Sequence, residues 1–216
     1  STYAHSMNVG LICNVFAQWL DFSEEKTKTL TLAGILHDIG KTKVPLDIIQ
    51  KPGKLNYEEY KIIKMHAKLG HDILGQKYID YHIKNVALQH HERCDGSGYP
   101  VNLKAHEIDE YAKIVSIVDV YDAMTSPRVY RGPMCPFDVI DIFLEDGLQK
   151  YDSKSLLIFL QRIAESYLNE KVRLSDGQEG QLIYINPHAL SRPTVLTLQK
   201  PVKLEEEKDL YIEEIL

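Results

Sequence analysis

The chain of 216 residues has little cysteine, no long apolar run and no excess of basic residues. Its three cysteines (Cys13, Cys94 and Cys135) lie far apart without a CxxC pair, so neither a disulfide framework nor a zinc-thiolate site is expected. No apolar stretch approaches the ~18 residues of a membrane span, and residues 1–20 lack the features of a signal peptide. These absences predict a cytoplasmic location, either alone or as the cytosolic domain of a larger sensory or membrane-anchored protein.

The charge balance limits the ligands further. A formal net charge of −6 argues against binding to a nucleic-acid duplex, which needs clustered Lys and Arg to displace counterions. A negatively charged substrate would need a local positive centre, and metal ions could supply one. A hydrophobic fraction of 44% with 26% charged residues is typical of a globular protein with a substantial core.

Helical periodicity dominates the first 168 residues, and strand patterns follow. Helices are predicted at 7–20, 24–36, 46–49, 57–75, 79–91 and 107–125, from 136 onward, and at 153–168. Beyond Asn169, "KVRLSDGQEGQLIYI" alternates around an Asp-Gly turn and predicts a hairpin, "TVLTLQ" could add a third strand, and the acidic end is typical of a solvated tail or edge element. We predict a mainly α protein: a helical bundle at 1–168 and a small β-rich extension with an acidic tail at 169–216.

Histidine is the first candidate for chemistry. Five of the nine histidines fall at or near the polar ends of four predicted helices: His5, His37, His66, His90 and His91. A single histidine on an apolar helix is usually a hydrogen-bonded core residue, and that interpretation stays open for each. Burying many imidazoles and carboxylates without partners costs several kcal/mol per group, however. A shared metal centre would offset that cost.

A buried aspartate adds to this pattern. Asp119 interrupts the apolar run "KIVSIVDVYDAM", where an unpaired carboxylate would need a raised pKa or a nearby cation. A buried salt bridge to Arg or Lys is the alternative. With Asp38, which follows His37, the set offers imidazole and carboxylate ligands without thiolate, and these suit iron, manganese or zinc. Seven such ligands exceed what one ion can use, so two metal ions are expected.

Three motifs together resemble one known family. The segments "HDIGK", "HHERCDGSGYP" and "VDVYDAMTSPRVYR", with a histidine before the first and another between the first two, resemble the HD-GYP family of the helical HD phosphohydrolase superfamily. The resemblance covers about residues 1–168. It implies a helical HD-domain bundle that hydrolyses phosphate esters at a metal centre.

The resemblance also implies a ligand set for two divalent ions. His5, His37, Asp38 and Asp119 would hold the first ion, and His66, His90 and His91 the second, with Asp38 bridging the pair. Iron or manganese is favoured, with zinc, nickel or magnesium as alternatives. Members with three metals carry a glutamate one helical turn before the first histidine, where this chain has Ser1. A dinuclear site is therefore expected.

Further positions match substrate contacts of the family. The resemblance implies that Lys41 reaches a phosphate oxygen and that Arg128 and Arg131 grip the phosphates of the ligand. Without the resemblance, the two arginines would read as solvated surface or helix-end salt bridges. The loop at 92–106, here called the GYP loop, would shape the entrance to the metal site. It would contact a guanine base or its sugar through Asp95, Gly96, Gly98, Tyr99 and Pro100.

The activity implied by the resemblance is that of a cyclic di-GMP phosphodiesterase. His37, Asp38 and Lys41 would be catalytic, and a hydroxide bridging the two ions would open cyclic di-GMP to linear pGpG, with further hydrolysis to GMP as an option. Three alternatives stay open: another cyclic dinucleotide such as cyclic GMP-AMP, an HD phosphohydrolase of another nucleotide, and a non-catalytic cyclic di-GMP receptor or partner-docking module. The GYP loop could recruit a diguanylate cyclase-type or adaptor protein, and a dimer is one option for the oligomeric state.

Overall fold

The computed structural model describes residues 2–127 and 132–216. The predicted phosphate contacts Arg128 and Arg131, and the position of Ser1, lie outside the described residues. The helices are α1 (Thr2–Trp19), α2 (Glu24–Leu36), α3 (Leu46–Ile49), α4 (Tyr57–Lys64), α5 (His66–Gly75), α6 (Tyr81–Gln89), α7 (Glu110–Thr125), α8 (Pro136–Lys150) and α9 (Ser153–Ser166), with a 3-10 helix at Ile39–Lys43. The strands are β1 (Lys171–Leu174), β2 (Glu179–Asn186), β3 (Ala189–Thr197), β4 (Pro201–Lys203) and β5 (Ile212–Ile215).

Side chains at helix starts explain why several predicted helices form where they do. The Ser23 hydroxyl accepts a hydrogen bond from the Lys26 amide at 3.3 Å at the start of α2. Asn56 and Glu59 form a reciprocal capping box at α4, which satisfies two amides that would otherwise lack partners. Asp152 accepts from the Ser155 amide at 2.9 Å at α9. These predicted caps are confirmed.

One predicted helix is in fact two. The pattern at 57–75 predicts a continuous helix, but the structure ends α4 at Lys64 and begins α5 at His66. The Met65 amide donates to the Ile62 carbonyl, three residues back, so the regular four-residue ladder is interrupted there. The interruption places His66 at the first position of a new helix.

The chain divides into two compact units. The first contains Ser1–Ala123 and Gln149–Ser155, and the second contains Met124–Leu148 and Leu156–Leu216. In these units the segment of α8 up to Leu148 and most of α9 group with the strands. The predicted boundary at residue 168 marks the change from helix to strand, and as a domain boundary it stays a prediction.

Each unit has its own apolar core. In the first unit, α1, α2, α6 and α7 contribute fully buried side chains that include Phe16, Leu30, Val86 and Ile117. In the second unit, the buried side chains come from both helices and strands and include Phe143, Phe159, Leu182 and Val195. The mainly α architecture with a small C-terminal sheet is thus confirmed.

The sheet is larger than the sequence pattern predicts. The predicted hairpin is present as β1 and β2, which pair antiparallel around the turn at Gly177, and β3 is the predicted third strand. Two further strands bring the order to β4-β3-β2-β1-β5, and β5 pairs antiparallel with β1. The acidic end therefore supplies an edge strand, and Ile212 is the buried residue that anchors it.

The structure bears on two features that the sequence lacks, a membrane span and paired cysteines. No helix among the described residues is both long and apolar enough to cross a bilayer. All three cysteines lie in the described part of the chain and are unpaired there, and Cys13 is buried in the core.

Candidate metal centre

Helix ends deliver the predicted ligands to one place in the first unit. His37 directly follows α2, His66 begins α5, and His90 directly follows α6. His5 lies in the first turns of α1, and Asp119 lies within α7. The six side chains of His5, His37, Asp38, His66, His90 and Asp119 are all buried, and His91 is partly exposed.

The seven predicted ligands form two groups. One contains Asp38, His66, His90 and His91, and the other contains His5, His37 and Asp119. Within each group, one ligand atom per residue lies within 4.8 Å of every other. The structure therefore brings together all seven residues that the sequence suggested, in two clusters that could each hold an ion.

Asp38 lies between the groups and presents one carboxylate oxygen to each. Its Oδ2 is 3.5 Å from His37 Nε2 and 4.0 Å from His5 Nε2. Its Oδ1 is 3.3 Å from His66 Nε2 and 3.7 Å from His90 Nε2. A carboxylate with one oxygen in each cluster has the disposition of a bridging ligand.

Three histidines are each oriented by the helical turn that precedes them. In each, Nδ1 donates to a backbone carbonyl three or four residues earlier, and this bond fixes the tautomer with Nε2 as the free electron-pair donor. The acceptors are Gly34 for His37 (2.6 Å), Ile63 for His66 (2.6 Å) and Val86 for His90 (3.0 Å). Their Nε2 atoms consequently face Asp38 and are ready to bind a cation.

A carboxylate that the sequence reasoning missed orients His5. Asp122 Oδ2 accepts from His5 Nδ1 at 2.6 Å, and Asn8 Nδ2 donates to the other oxygen of Asp122 at 3.1 Å. On the far side of the ring, His5 Nε2 is 2.9 Å from Asp119 Oδ1. Asp122 lies three residues after Asp119, on the same face of α7, so helical spacing could have pointed to it.

The electrostatics of the first group favour ionised carboxylates. Burial opposes a charged imidazole, but hydrogen bonds to Asp119 and Asp122 outweigh it and raise the pKa of His5 to about 9. Burial likewise opposes ionisation of Asp119, yet the His5 hydrogen bond and the charge of His37 hold its pKa well below the usual range. Among the described residues, Asp119 pairs with His5 and not with the Arg or Lys of the alternative interpretation. A metal ion between His5 and Asp119 would displace the imidazole proton.

Two rings of the second group, His66 and His91, favour the neutral form. Burial, reinforced by the charge of His90, lowers the pKa of His66 to about 4. Burial and then His90 also hold the pKa of His91 well below its usual value. Neutral imidazole is the form that binds transition metals, so these two rings need lose no proton to do so.

Two buried atoms without hydrogen-bond partners favour cation binding at this site. In the described part of the chain, His37 Nε2 and Asp38 Oδ1 are buried without a hydrogen-bond partner. Leaving such groups unsatisfied costs about 1–3 kcal/mol each, and a native interior rarely tolerates it without a reason. The two atoms belong to different groups, and each faces its own cluster. Divalent cations in both clusters would satisfy them.

The segment after Asp38 sets a lysine beside the clusters. Lys41 Nζ forms a short ion pair with Asp38 Oδ2, and a quarter of the Lys41 side chain is exposed. The 3-10 helix that carries Lys41 packs closely on α5, because a Cβ on Gly40 would lie 1.9 Å from the His66 carbonyl oxygen. Gly40 therefore permits the approach that brings Lys41 and His66 to the same site.

The GYP loop covers the second group. The Tyr99 ring stacks on His91 with centroids 4.6 Å apart and planes inclined by 24°. The Tyr99 amide donates to the His91 carbonyl at 3.2 Å, and Gly98 is necessary because a Cβ there would lie 2.4 Å from Glu92 Cα. Asp95 accepts from the Ser97 amide at 2.9 Å and so shapes the turn. The remaining loop positions named from the sequence are the half-buried Gly96 and the exposed Pro100.

A second residue that the sequence reasoning missed holds this loop. Glu92 is 2% exposed, and its carboxylate accepts from three successive backbone amides: Val101 (2.6 Å), Asn102 (3.2 Å) and Leu103 (2.9 Å). Because a hydrogen bond to a charged acceptor contributes about 1.5–3 kcal/mol net, Glu92 is the main anchor of the loop after Tyr99. The sequence gives only the weak signal of an acid after two histidines.

The role of Glu92 can be tested by removing one acceptor. In Glu92→Gln, an amide NH2 would face a backbone N–H, so we expect the free energy of unfolding to fall by about 2 kcal/mol. Glu107→Gln is a matched control, because Glu107 is exposed and accepts a single bond from the Lys104 amide at 2.8 Å. Urea unfolding of both variants should show a loss at Glu92 and a change under about 0.5 kcal/mol at Glu107. Equal losses would contradict the anchoring role.

Comparisons with known proteins find one matching family model and several relatives. An HD domain family model matches residues 2–155. The chain is 40% identical over 167 residues to 3'3'-cGAMP-specific phosphodiesterase 1 of Vibrio cholerae, covering 77% of this chain and 39% of that protein. It is 35% identical over 177 residues to a cyclic di-GMP phosphodiesterase of Thermotoga maritima, covering 81% and 46%. The chain thus spans less than half the length of these relatives.

Solved structures share the fold. An HDG"Y"P protein of Bdellovibrio bacteriovorus matches with a TM-score of 0.62 at 24% identity, over 74% of this chain and 51% of that one. The HD domain of the phosphodiesterase PgpH from L. monocytogenes, in complex with cyclic di-AMP, matches with a TM-score of 0.54 at 19% identity, over 73% and 85%. At these identities the likeness establishes a common architecture.

Proposed function

The chain belongs to the HD domain family, whose members bind divalent metals, and from this premise we propose that it is a phosphodiesterase of the HD-GYP type that hydrolyses a cyclic dinucleotide. The proposed metal ligands are His5, His37, Asp38 and Asp119 for one ion and His66, His90 and His91 for the other, with Asp38 shared. The observation that carries the proposal is the disposition of Asp38, with one oxygen in each ligand group.

The chemistry of the ligand set supports a hydrolytic site. Divalent ions held by imidazole and carboxylate lower the pKa of water towards neutrality and offset the negative charge that a phosphate gains during attack. Iron and manganese suit this mixed set, and the absence of thiolate makes a structural zinc site a poor fit. We propose a dinuclear site on the seven residues, with iron or manganese as the native metals.

The protein side chains orient the substrate and the ligands. Lys41 is partly exposed beside Asp38. Its ammonium group can therefore donate to a phosphate oxygen while its ion pair with Asp38 keeps it in place. Asp122 holds the His5 ring and Glu92 holds the loop, so both act through the groups they position. The Tyr99 ring stacks on His91 and closes one side of the site, where we propose that it contacts a base or its sugar. We propose that Arg128 and Arg131 add phosphate contacts.

The substrate we propose is cyclic di-GMP, with linear pGpG as product. Relatives named for cyclic di-GMP and for 3'3'-cGAMP both match this chain at comparable identity, so the second dinucleotide is the competing substrate. All seven ligand positions carry side chains that can bind a metal, which favours catalysis over a purely binding role. Recruitment of a cyclase-type or adaptor protein through the GYP loop, and a dimeric state, stay predictions.

Anaerobic purification with manganese or iron(II), followed by incubation with each dinucleotide, tests the proposal. Chromatography should show linear pGpG from cyclic di-GMP, with slower or no conversion of cyclic GMP-AMP. A chelated sample should show no product. Failure of the metal-loaded protein to open either dinucleotide, with turnover of a nucleoside triphosphate instead, would overturn the proposal in favour of the nucleotide phosphohydrolase alternative.

A further inference from the structure

A groove on the first unit lies beside the GYP loop. It has a volume of about 690 Å³ and runs between α4, the start of α5 and the loop. We call it the lysine groove, and its walls are Tyr60, Lys61, Lys64, Met65, Lys68, Leu69, Asp72, Ser97, Gly98, Tyr99, Pro100 and Asn102. None of the seven proposed metal ligands lines it. Its volume lies within the roughly 300–1,000 Å³ of typical small-molecule sites.

The groove is positively charged in a chain that is acidic overall. Three lysines line it, at 61, 64 and 68, and the spacing of three and four residues places them along one side of the α4–α5 segment. Asp72 is the one acidic residue among the described lining residues. Lys61 is partly neutralised by Glu58 at 3.3 Å, which leaves Lys64 and Lys68 as the stronger anion contacts. The chain as a whole carries a net charge of −6, so this local excess is unusual.

Aromatic rings lie beside the lysines. Lys64 Nζ lies 4.6 Å from the centroid of the Tyr60 ring and 4.9 Å from that of Tyr99. Tyr60 is 47% exposed, so its ring offers an open surface to a ligand. Flat rings next to ammonium groups suit a molecule that carries both a planar base and a phosphate. A purely acidic peptide would use the lysines but not the rings.

Tyr99 connects the groove to the metal centre. It lines the groove, and its ring also stacks on His91 of the second ligand group. A ligand with one phosphate at the metal ligands and its other half in the groove would therefore contact Tyr99. A cyclic dinucleotide has two phosphates and two bases, and the proposed chemistry uses only one phosphate.

We propose that the lysine groove binds the half of the cyclic dinucleotide whose phosphate is not being cleaved, with Lys64 and Lys68 contacting that phosphate and Tyr60 and Tyr99 contacting its base. The inference deepens the proposed function and rests on it for the identity of the ligand. Since Lys64 and Lys68 are not among the proposed metal ligands or catalytic residues, we expect them to contribute to binding and to the choice of a dinucleotide over smaller phosphate esters.

Binding of a phosphorothioate analogue of cyclic di-GMP, which resists hydrolysis, separates this inference from catalysis. In the metal-loaded double variant Lys64→Gln/Lys68→Gln, we expect the Kd measured by equilibrium dialysis to rise about tenfold, because two phosphate contacts are lost. With cyclic di-GMP itself, KM should rise by a similar factor, while kcat stays within about twofold. Hydrolysis of bis(p-nitrophenyl) phosphate, which is too small to span both sites, should be unchanged.

The control is Lys28→Gln/Lys77→Gln, which removes the same charge from exposed positions outside the groove. It should leave Kd and KM within about twofold, and circular dichroism and metal content should match the wild type for both double variants. Equal Kd values for the wild type and the groove variant, or no binding of the analogue by the wild type, would overturn the inference. If the wild type binds the analogue but does not hydrolyse cyclic di-GMP, the proposed function is wrong and the proposed binding role of the groove still holds.

Discussion

The double variant His37→Ala/Asp38→Ala is expected to lose more than about a thousand-fold of its phosphodiesterase activity, equivalent to roughly 4 kcal/mol of transition-state stabilisation. His37 supplies Nε2 to one ligand group, and Asp38 supplies one oxygen to each group, so the change removes ligands from both proposed ions at once. Metal content measured by plasma mass spectrometry should fall with the activity. Activity and metal content should fall together because both proposed ions share the Asp38 carboxylate.

The fold should survive this change. The His37 ring has one backbone partner, the Gly34 carbonyl, and Asp38 presents an unpaired oxygen to the interior. Replacing both residues therefore removes the cost of burying unsatisfied polar atoms as well as some favourable contacts. The control is His188→Ala/Asp209→Ala, the same pair of residue types at exposed positions in the second unit. It should keep full activity and metal. A site variant that keeps both would show that the metal ligands are misassigned.

The variant Gly40→Ala is expected to lower the free energy of unfolding by at least about 3 kcal/mol. Its Cβ would lie 1.9 Å from the His66 carbonyl oxygen and 2.5 Å from the Gly70 amide nitrogen. Both obstacles are backbone atoms, so no side-chain rotation can relieve them, and the 3-10 helix must move away from α5. That movement would separate Lys41 and Asp38 from His66, and metal affinity should fall as well.

The matched control for this change is Gly75→Ala. Gly75 also belongs to α5, as its last residue, but nothing lies within 4 Å of a Cβ built there. Replacing glycine by alanine in an open helical position is neutral or stabilising by up to about 1 kcal/mol. Thermal and urea unfolding should therefore separate the two alanine variants widely. Similar stability for both would mean that the 3-10 helix does not pack on α5 as described.

Much of the site could be predicted from the sequence because it is carried by short motifs. A histidine followed by an acid, or by a second histidine, falls where a predicted helix ends, and helix ends expose ligands to a common space. The caps at Ser23, Asn56 and Asp152 use interactions between residues three positions apart, so local sequence determines them. The hairpin was predictable for the same reason.

The parts that escaped prediction depend on tertiary contacts. Asp122 is a ligand-orienting residue only because α1 brings His5 to it across 117 positions of sequence. Glu92 anchors a loop through backbone amides nine to eleven positions later, and no periodicity marks such bonds. Strand β5 forms only because β1 offers an edge for it to pair with, so an acidic tail and an edge strand look alike in the sequence. The lysine groove requires the loop to fold back beside α4 and α5.

The central claim is that seven side chains hold two ions with Asp38 between them, and anomalous X-ray diffraction from crystals of the manganese-loaded protein, collected at the manganese absorption edge, tests it most directly. The account predicts two peaks, one among His5, His37 and Asp119 and the other among His66, His90 and His91, with an Asp38 oxygen bound to each ion. A single peak on one group, or peaks bound to other residues, would contradict it.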